Sequence, residues 1–268
     1  MARSVAASRR VLGVDLSIVV LVVVVVFLAI GMVQAMHQWD DAQRGLLSYE
    51  QARKDAYIDA GLIQRSSRVR VHRSLVATLR SETVMVATRV GGHAFVGAGV
   101  IVGVRNGQLQ IVTARHVIEH DGEHIVYFTP HLGTRVKKVV LSHKDDLALL
   151  SVKAIDGVTY SVGRFAKSEL QTGTPFVVMG HPGLHAWLAS TGLAEKHQRQ
   201  TLLFCPTCDR GDSGAGVFDR NGGLLGIVVL KVRVNAPSKR TGRYFTFTAF
   251  EAETLANVRN FVKSARRA

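Results

Sequence analysis

Cysteine and acidic residues are scarce in this sequence, and histidine is absent from its C-terminal part. The 268 residues include only two cysteines, Cys205 and Cys208, so a zinc site built on this pair would need two further ligands. We therefore expect a local disulfide, with two unpaired thiols as the alternative. No histidine follows His197, which excludes any site that needs a histidine downstream of that position.

Charge is absent from one segment near the N-terminus. No charged residue lies in 16–36, and this length is close to the roughly 20 residues that cross a bilayer. Arginines precede the segment and acidic residues follow it, so the positive-inside rule places the N-terminus in the cytoplasm and the rest of the chain outside. An uncleaved anchor is the favoured interpretation, and a signal peptide with small residues at Val33 and Ala35 is the alternative.

The scarcity of acids leaves 34 basic residues against 20 acidic ones, a formal net charge of +14. A basic cluster follows the apolar segment, but no aromatic residues are interleaved with it and an outward-facing domain does not normally meet nucleic acid. Nucleic-acid binding is therefore disfavoured, and the cluster is interpreted as a surface that is either solvated or adjacent to the membrane, where it would attract anionic lipid headgroups. Its members are Arg65, Arg68, Arg70, Arg73 and Arg80.

Composition divides the chain into four parts: a basic tail at 1–15, the expected anchor at 16–36, a helical stalk and basic linker at 37–81, and a folded domain at 82–268. This domain consists of short runs rich in valine, isoleucine and phenylalanine, which predict an all-β barrel or sandwich. Asn106-Gly107 and Asn221-Gly222-Gly223 predict hairpin turns. The apolar spacing over 251–265 predicts a C-terminal helix that packs on the second half of the domain.

One serine, Ser213, lies in a glycine-flanked turn, Gly211-Asp212-Ser213-Gly214. A serine hydroxyl becomes a nucleophile when a histidine accepts its proton and a carboxylate orients that histidine. His116, after a strand-like run, and Asp146, before an apolar run, are the candidates. The order serine, acid, histidine is excluded because no histidine follows Ser213, and an aspartate preceding His116 would have to come from or near the N-terminal segment. The order histidine, aspartate, serine remains.

The glycines of this turn let the backbone N–H groups of Gly211 and Ser213 converge on a developing oxyanion. Three histidines at four-residue spacing, His116, His120 and His124, would align on a helix as metal ligands, but Asp121-Gly122 interrupts any helix there. We expect neither a metal nor a cofactor.

These motifs resemble the chymotrypsin-fold serine proteases, in particular the bacterial trypsin-like branch that includes the HtrA group. The resemblance covers about 82–263. It implies two six-stranded antiparallel β-barrels with a C-terminal helix, His116 as general base, Asp146 as orienting acid, Ser213 as nucleophile, and Gly211 with Ser213 as oxyanion hole. The matching motifs are Thr113-Ala114-Arg115-His116-Val117, Asp146-Leu147-Ala148-Leu149-Leu150, Val177-Val178-Met179-Gly180-His181-Pro182-Gly183 and Gly211-Asp212-Ser213-Gly214.

The sequence departs from that family at Asp212, where HtrA proteins usually carry asparagine, and it has no Ile-Val-Gly-Gly start that would supply a partner for this acid. HtrA proteins also append a PDZ domain, and too few residues follow the catalytic core to build one. We therefore expect no regulation by such a domain.

By the same resemblance, the substrate pocket has Thr207 at its base, beside Cys208, and walls from Val228, Val229, Leu230 and Lys231. No acid occupies the base, which argues against a preference for lysine or arginine unless Asp209 turns inward. A small or medium apolar side chain is the expected substrate residue. The function expected from the sequence is that of a membrane-anchored serine endopeptidase acting through an acyl-enzyme, and the alternative is a catalytically silent protease-fold binding module.

Overall fold

A computed structural model of the chain describes residues 10–11, 14–15, 21, 71–197, 200–205, 207–237 and 244–267. The expected anchor at 16–36, apart from Leu21, and the stalk from 37 to 70 lie outside these residues. Among the described residues, no helix combines the length and the apolar character needed to span a membrane. The chain divides into two units, Met1–Ala52 and Arg53–Ala268.

In the first unit, the described strands β1 (Arg10–Val11) and β2 (Val14–Asp15) form a short antiparallel hairpin. In the second unit, helix α1 (Arg73–Glu82) precedes a closed six-stranded barrel in the order β3-β4-β5-β8-β7-β6. Its strands are β3 (Thr83–Val90), β4 (His93–Arg105), β5 (Gln108–Ala114), β6 (Glu123–Thr129), β7 (Leu132–Leu141) and β8 (Leu147–Lys153).

Strands β5 and β8 are buried along almost their whole length, and most of their residues are apolar. One face of each strand lines the barrel, and the opposite face packs against the second half of the unit or the C-terminal helix. The turn between β4 and β5 consists of Asn106 and Gly107, both at positive φ. Because this geometry suits Asn-Gly, the sequence predicted the hairpin correctly.

A second group of strands continues the unit: β9 (Arg164–Phe165), β10 (Pro175–Gly180), β11 (Leu188–His197), β12 (Gln200–Phe204), β13 (Gly216–Phe218), β14 (Gly223–Pro237) and β15 (Tyr244–Thr254). Strand β13 pairs with both β10 and β14, which closes six antiparallel strands into a second barrel, and β9 adds to β14 in parallel. The two expected antiparallel barrels and the C-terminal helix are confirmed, with β9 as an addition that the sequence did not predict.

Helix α2 (Leu255–Ala265) begins four residues later than the apolar spacing predicted, because Glu251–Thr254 still pair with β14. The Thr254 hydroxyl caps the helix by accepting a hydrogen bond from the Asn257 amide. The expectation that this helix packs on the second barrel is correct but incomplete. Its apolar face also joins the core of the first barrel, through Val258, Phe261, Val262 and Ala265.

Candidate active site

His116 and Asp146 meet at one end of the first barrel. Strand β5 ends at Ala114 and pairs there with Leu147, the first residue of β8, so the residues just beyond these two ends are neighbours. His116 lies in the 3-10 turn Arg115–Val117 that follows β5. Its Nδ1 is 2.7 Å from Oδ2 of Asp146, and its backbone amide donates to Oδ1 at 3.0 Å. Both side chains remain about one-third exposed.

The environment of Asp146 favours its charged form. Burial raises the pKa of this carboxyl, but the hydrogen bond and charge of the His116 side chain, together with nearby backbone N–H groups, outweigh burial and leave the pKa below its ordinary value. A charged carboxylate only accepts hydrogen bonds, so Nδ1 of His116 is the donor in this pair. The other ring nitrogen, Nε2, is then left as an acceptor.

Ser213 reaches the first barrel through its backbone. Its carbonyl oxygen accepts a hydrogen bond of 2.7 Å from the amide of Ala98 in β4, and the carbonyl of Ala98 accepts one of 2.6 Å from the hydroxyl of Thr113 in β5. On the other side, the amide of Gly214 donates to Val228 in β14 at 2.7 Å. The nucleophile candidate is therefore fixed between the two barrels. Within the described residues, no hydrogen bond joins its hydroxyl to His116.

Two glycines make this close approach possible. A Cβ on Gly97 would lie 2.6 Å from the Ser213 carbonyl oxygen, and a Cβ on Gly214 would lie 2.1 Å from the Ala98 carbonyl oxygen. Gly214 also has a φ of +83°, which L side chains rarely adopt. Gly214 was predicted from the sequence, whereas Gly97 and Ala98 were not, and Thr113 appeared in a motif without a role. The signal for Gly97 was a glycine inside a strand, which often marks a close backbone approach.

The two expected oxyanion donors, the N–H groups of Gly211 and Ser213, lie in the same loop. Gly211 has a φ of +98°, and a Cβ there would be 2.2 Å from the carbonyl oxygen of His181. Across the described part of the chain, neither N–H donates to a protein acceptor. Unpaired backbone donors in a rigid turn are suited to receive a developing negative charge.

Asp212 is fully buried, and the sequence left its partner unknown. Its Oδ2 accepts a hydrogen bond of 3.0 Å from the backbone amide of Asp209, while Oδ1 makes no hydrogen bond of good geometry among the residues that the structure describes. Burial is the main cause that raises the pKa of Asp212 to about 7. The loop of the nucleophile candidate therefore depends on a carboxyl that changes charge near neutral pH.

His181 lies next to the same loop, at Gly211. This residue follows β10 in a loop, and its ring is fully buried. Its Nδ1 accepts from the Trp187 amide at 3.0 Å, so Nε2 carries the proton and donates to the Val84 carbonyl at 3.3 Å. Burial lowers the pKa of His181 to about 4, which keeps the ring neutral.

The residues predicted to form the substrate pocket separate into two groups. Cys208, Val228 and Val229 are buried, whereas Thr207, Leu230 and Lys231 are exposed. Cys205 and Cys208 are joined in a disulfide. Asp209, the acid whose orientation mattered for specificity, contacts the Lys231 ammonium with its carboxylate at 2.8 Å.

Residues 97–227 match the family model described as a trypsin-like peptidase domain. The fold is similar to that of the active form of the Rv3671c protease from Mycobacterium tuberculosis, with 19% identity, a TM-score of 0.56, and coverage of 72% of this chain and 85% of that chain. A serine endoprotease from Yersinia pestis is similar at 21% identity and a TM-score of 0.57, with coverage of 73% and 66%. No curated protein matches this sequence significantly.

Proposed function

We propose that this chain, in which residues 97–227 match a trypsin-like peptidase domain, hydrolyses peptide bonds through His116, Asp146 and Ser213 by way of an acyl-enzyme. The observation that carries this proposal is the 2.7 Å contact between His116 Nδ1 and Asp146 Oδ2. It is supported by the backbone contact that holds Ser213 against the first barrel at Ala98.

In the proposed reaction, Nε2 of His116 accepts the hydroxyl proton of Ser213 while the Ser213 oxygen bonds to the carbonyl carbon of the substrate. The carbonyl oxygen becomes an oxyanion, which the N–H groups of Gly211 and Ser213 stabilise. His116 then donates its proton to the departing amine, and the carbon–nitrogen bond breaks to leave an acyl-enzyme. Water then bonds to the acyl carbon while His116 accepts its proton. His116 returns this proton to the Ser213 oxygen as the bond between that oxygen and the acyl carbon breaks, and the carboxylic acid product leaves. Asp146 stays ionised and stabilises the imidazolium.

The substrate is a polypeptide, and we propose that a small or medium apolar side chain precedes the cleaved bond. The acid nearest to the expected pocket, Asp209, has its charge compensated by Lys231 at 2.8 Å. A lysine or arginine of the substrate would have to displace that ammonium, so a basic side chain would add little binding free energy in this pocket.

The proposed location is outside the cytoplasm, with segment 16–36 as the anchor. The charge asymmetry around this segment supports that orientation, and the Cys205–Cys208 disulfide is compatible with an oxidising compartment. Alkaline extraction of cells that produce the full chain tests the anchor. Retention in the membrane pellet is expected, and release into the supernatant would contradict it.

A catalytically silent binding module is the second candidate, because the Ser213 hydroxyl makes no hydrogen bond to His116 within the described residues. Contacts of this kind often tighten only when substrate binds. A fluorophosphonate probe on the full-length protein separates the two functions. We expect labelling of the parent and of Ser168→Ala, a variant at an exposed serine, and none of Ser213→Ala. Absence of labelling in the folded parent would favour the binding module.

A further inference from the structure

Glu253 extends from the second barrel to the loop that carries Asp146. It lies near the end of β15, opposite Ile227 of β14. Its Oε1 accepts a hydrogen bond of 3.2 Å from the backbone amide of Asp146, 107 residues earlier in the chain. Its Oε2 accepts one of 2.9 Å from the side-chain amide of Asn257, on the first turn of α2. Strand and helix thus hold the carboxylate from two sides.

The strand next to Glu253 also holds the nucleophile loop. Val228 of β14 pairs with Ala252, the residue before Glu253, and the Val228 carbonyl accepts the hydrogen bond from Gly214, the residue after Ser213. The strand pair β14–β15 therefore contacts the nucleophile loop at Gly214 through one member and Asp146 through the other. Since Asp146 belongs to the first barrel, the Glu253 contact fixes the spacing between the acid and the nucleophile loop.

Two carboxylates so close together would repel each other if their oxygens met. They do not meet, because both oxygens of Asp146 accept hydrogen bonds from His116, whereas the Glu253 carboxylate accepts a hydrogen bond from the backbone N–H of Asp146. A backbone N–H bound to an ionised carboxylate makes a charge-assisted hydrogen bond, which is stronger than a neutral one. Glu251, on the same face of β15, has a pKa raised first by burial and then by the charge of Glu253.

We propose that Glu253, held by Asn257, is a positioning residue that fixes Asp146, and through it His116, relative to Ser213. The inference rests on the proposed roles of these three residues. Glu253 touches no reacting atom, so its loss leaves substrate binding intact and misplaces the general base. Small misplacements of catalytic groups cost about 10²-fold in rate.

The test compares four variants of the full-length protein: Glu253→Ala, Glu253→Gln, Asn257→Ala and the control Glu251→Ala. We expect Glu253→Ala to lower kcat by about 10²-fold with little change in KM, and the rate of fluorophosphonate labelling to fall in parallel. Glu253→Gln keeps an oxygen that can accept from Asp146, so it should restore most of kcat. Glu251→Ala removes an acid from the same strand without losing that contact, and should retain kcat.

The outcomes separate this inference from the proposed function. If the parent shows Ser213-dependent labelling and folded Glu253→Ala retains kcat within twofold, the positioning role is wrong and the protease function stands. If Glu253→Ala does not fold, Asn257→Ala decides, because it releases Oε2 only: a several-fold loss of kcat supports the role, and an unchanged kcat overturns it. If the parent is never labelled, the proposed function fails, and this inference fails with it.

Discussion

The Ser213 carbonyl and the Ala98 amide form a hydrogen bond of 2.7 Å between the second barrel and the first. Ala98 is itself fixed by the buried hydroxyl of Thr113, three residues before His116. Nucleophile candidate and base candidate are therefore connected through two hydrogen bonds and one short piece of strand. The precision of the site depends on this backbone contact as well as on the three side chains.

Gly97→Ala should damage the site by steric displacement. The new Cβ would lie 2.6 Å from the Ser213 carbonyl oxygen and 2.7 Å from the Val117 side chain, so the nucleophile loop must shift. We expect a loss of about 1–3 kcal/mol in the free energy of unfolding, and a much slower reaction with a fluorophosphonate. Ser168→Ala, at an exposed position, is the control and should react normally. Normal labelling of Gly97→Ala would show that the loop tolerates the displacement.

Asp212→Asn should change how stability depends on pH. The carboxyl ionises near pH 4 in the unfolded chain and near pH 7 in the folded protein, so the folded protein holds the extra proton between these values and loses stability as the pH rises through them. Asparagine cannot ionise and keeps an oxygen for the Asp209 amide. We expect the stability of the variant relative to the parent to rise by roughly 3 kcal/mol from pH 5 to pH 8.

Chemical denaturation at the two pH values measures this difference, with Asp156→Asn at an exposed site as the control. A constant difference between Asp212→Asn and the parent across this range would contradict ionisation of a buried carboxyl.

Removal of the disulfide should weaken both the barrel and the nucleophile loop. The two cysteines are three positions apart and fully buried, and the entropy relation for so short a loop gives about 2 kcal/mol. The double variant Cys205→Ala with Cys208→Ala should therefore have a lower Tm. Because Cys208 is at the start of the loop that leads to Ser213, the rate of fluorophosphonate labelling should also fall. An unchanged Tm and an unchanged labelling rate would indicate that the disulfide is dispensable.

Lys231→Ala should broaden specificity toward basic side chains. The substitution leaves the Asp209 charge without the ammonium now 2.8 Å away, so a lysine of the substrate can take its place. We expect the ratio of kcat/KM for peptides with lysine rather than valine before the cleaved bond to rise at least about tenfold. The exposed Lys263→Ala should leave the ratio unchanged. Adding Asp209→Asn should cancel the rise, and persistence of the rise in the double variant would assign it to another acid.

Local signals predicted the features that depend on a few neighbouring residues. Asn106-Gly107 gave its hairpin because positive φ at both positions is intrinsic to that pair. The turn at Ser213 was predicted for the same reason, because Gly211 and Gly214 on either side of it adopt positive φ. Strand β11 was missed because Leu188–His197 carries polar residues without a regular alternation, and the start of α2 was placed too early because helical spacing also fits the end of β15.

The sequence did not predict the contacts between residues that are far apart in the chain. Nothing near Glu253 indicates that its carboxylate meets the amide of Asp146, because the contact exists only after the two barrels pack. Likewise, nothing in the residues around His181 indicates that the tertiary structure buries its ring against Val84 and Trp187. In physical terms, periodicity reports which face of an element is apolar, but not which polar group lies across an interface.

Helix α1 determines the shortest fragment suitable for laboratory work. Leu79 is fully buried in the core of the first barrel, and the Arg80 guanidinium stacks 3.6 Å from the ring of Trp187 in the second half of the unit while donating to the Phe128 carbonyl. A truncation at Ser81 would remove both residues and expose the surfaces they cover. Recombinant fragments should therefore start upstream of Val71.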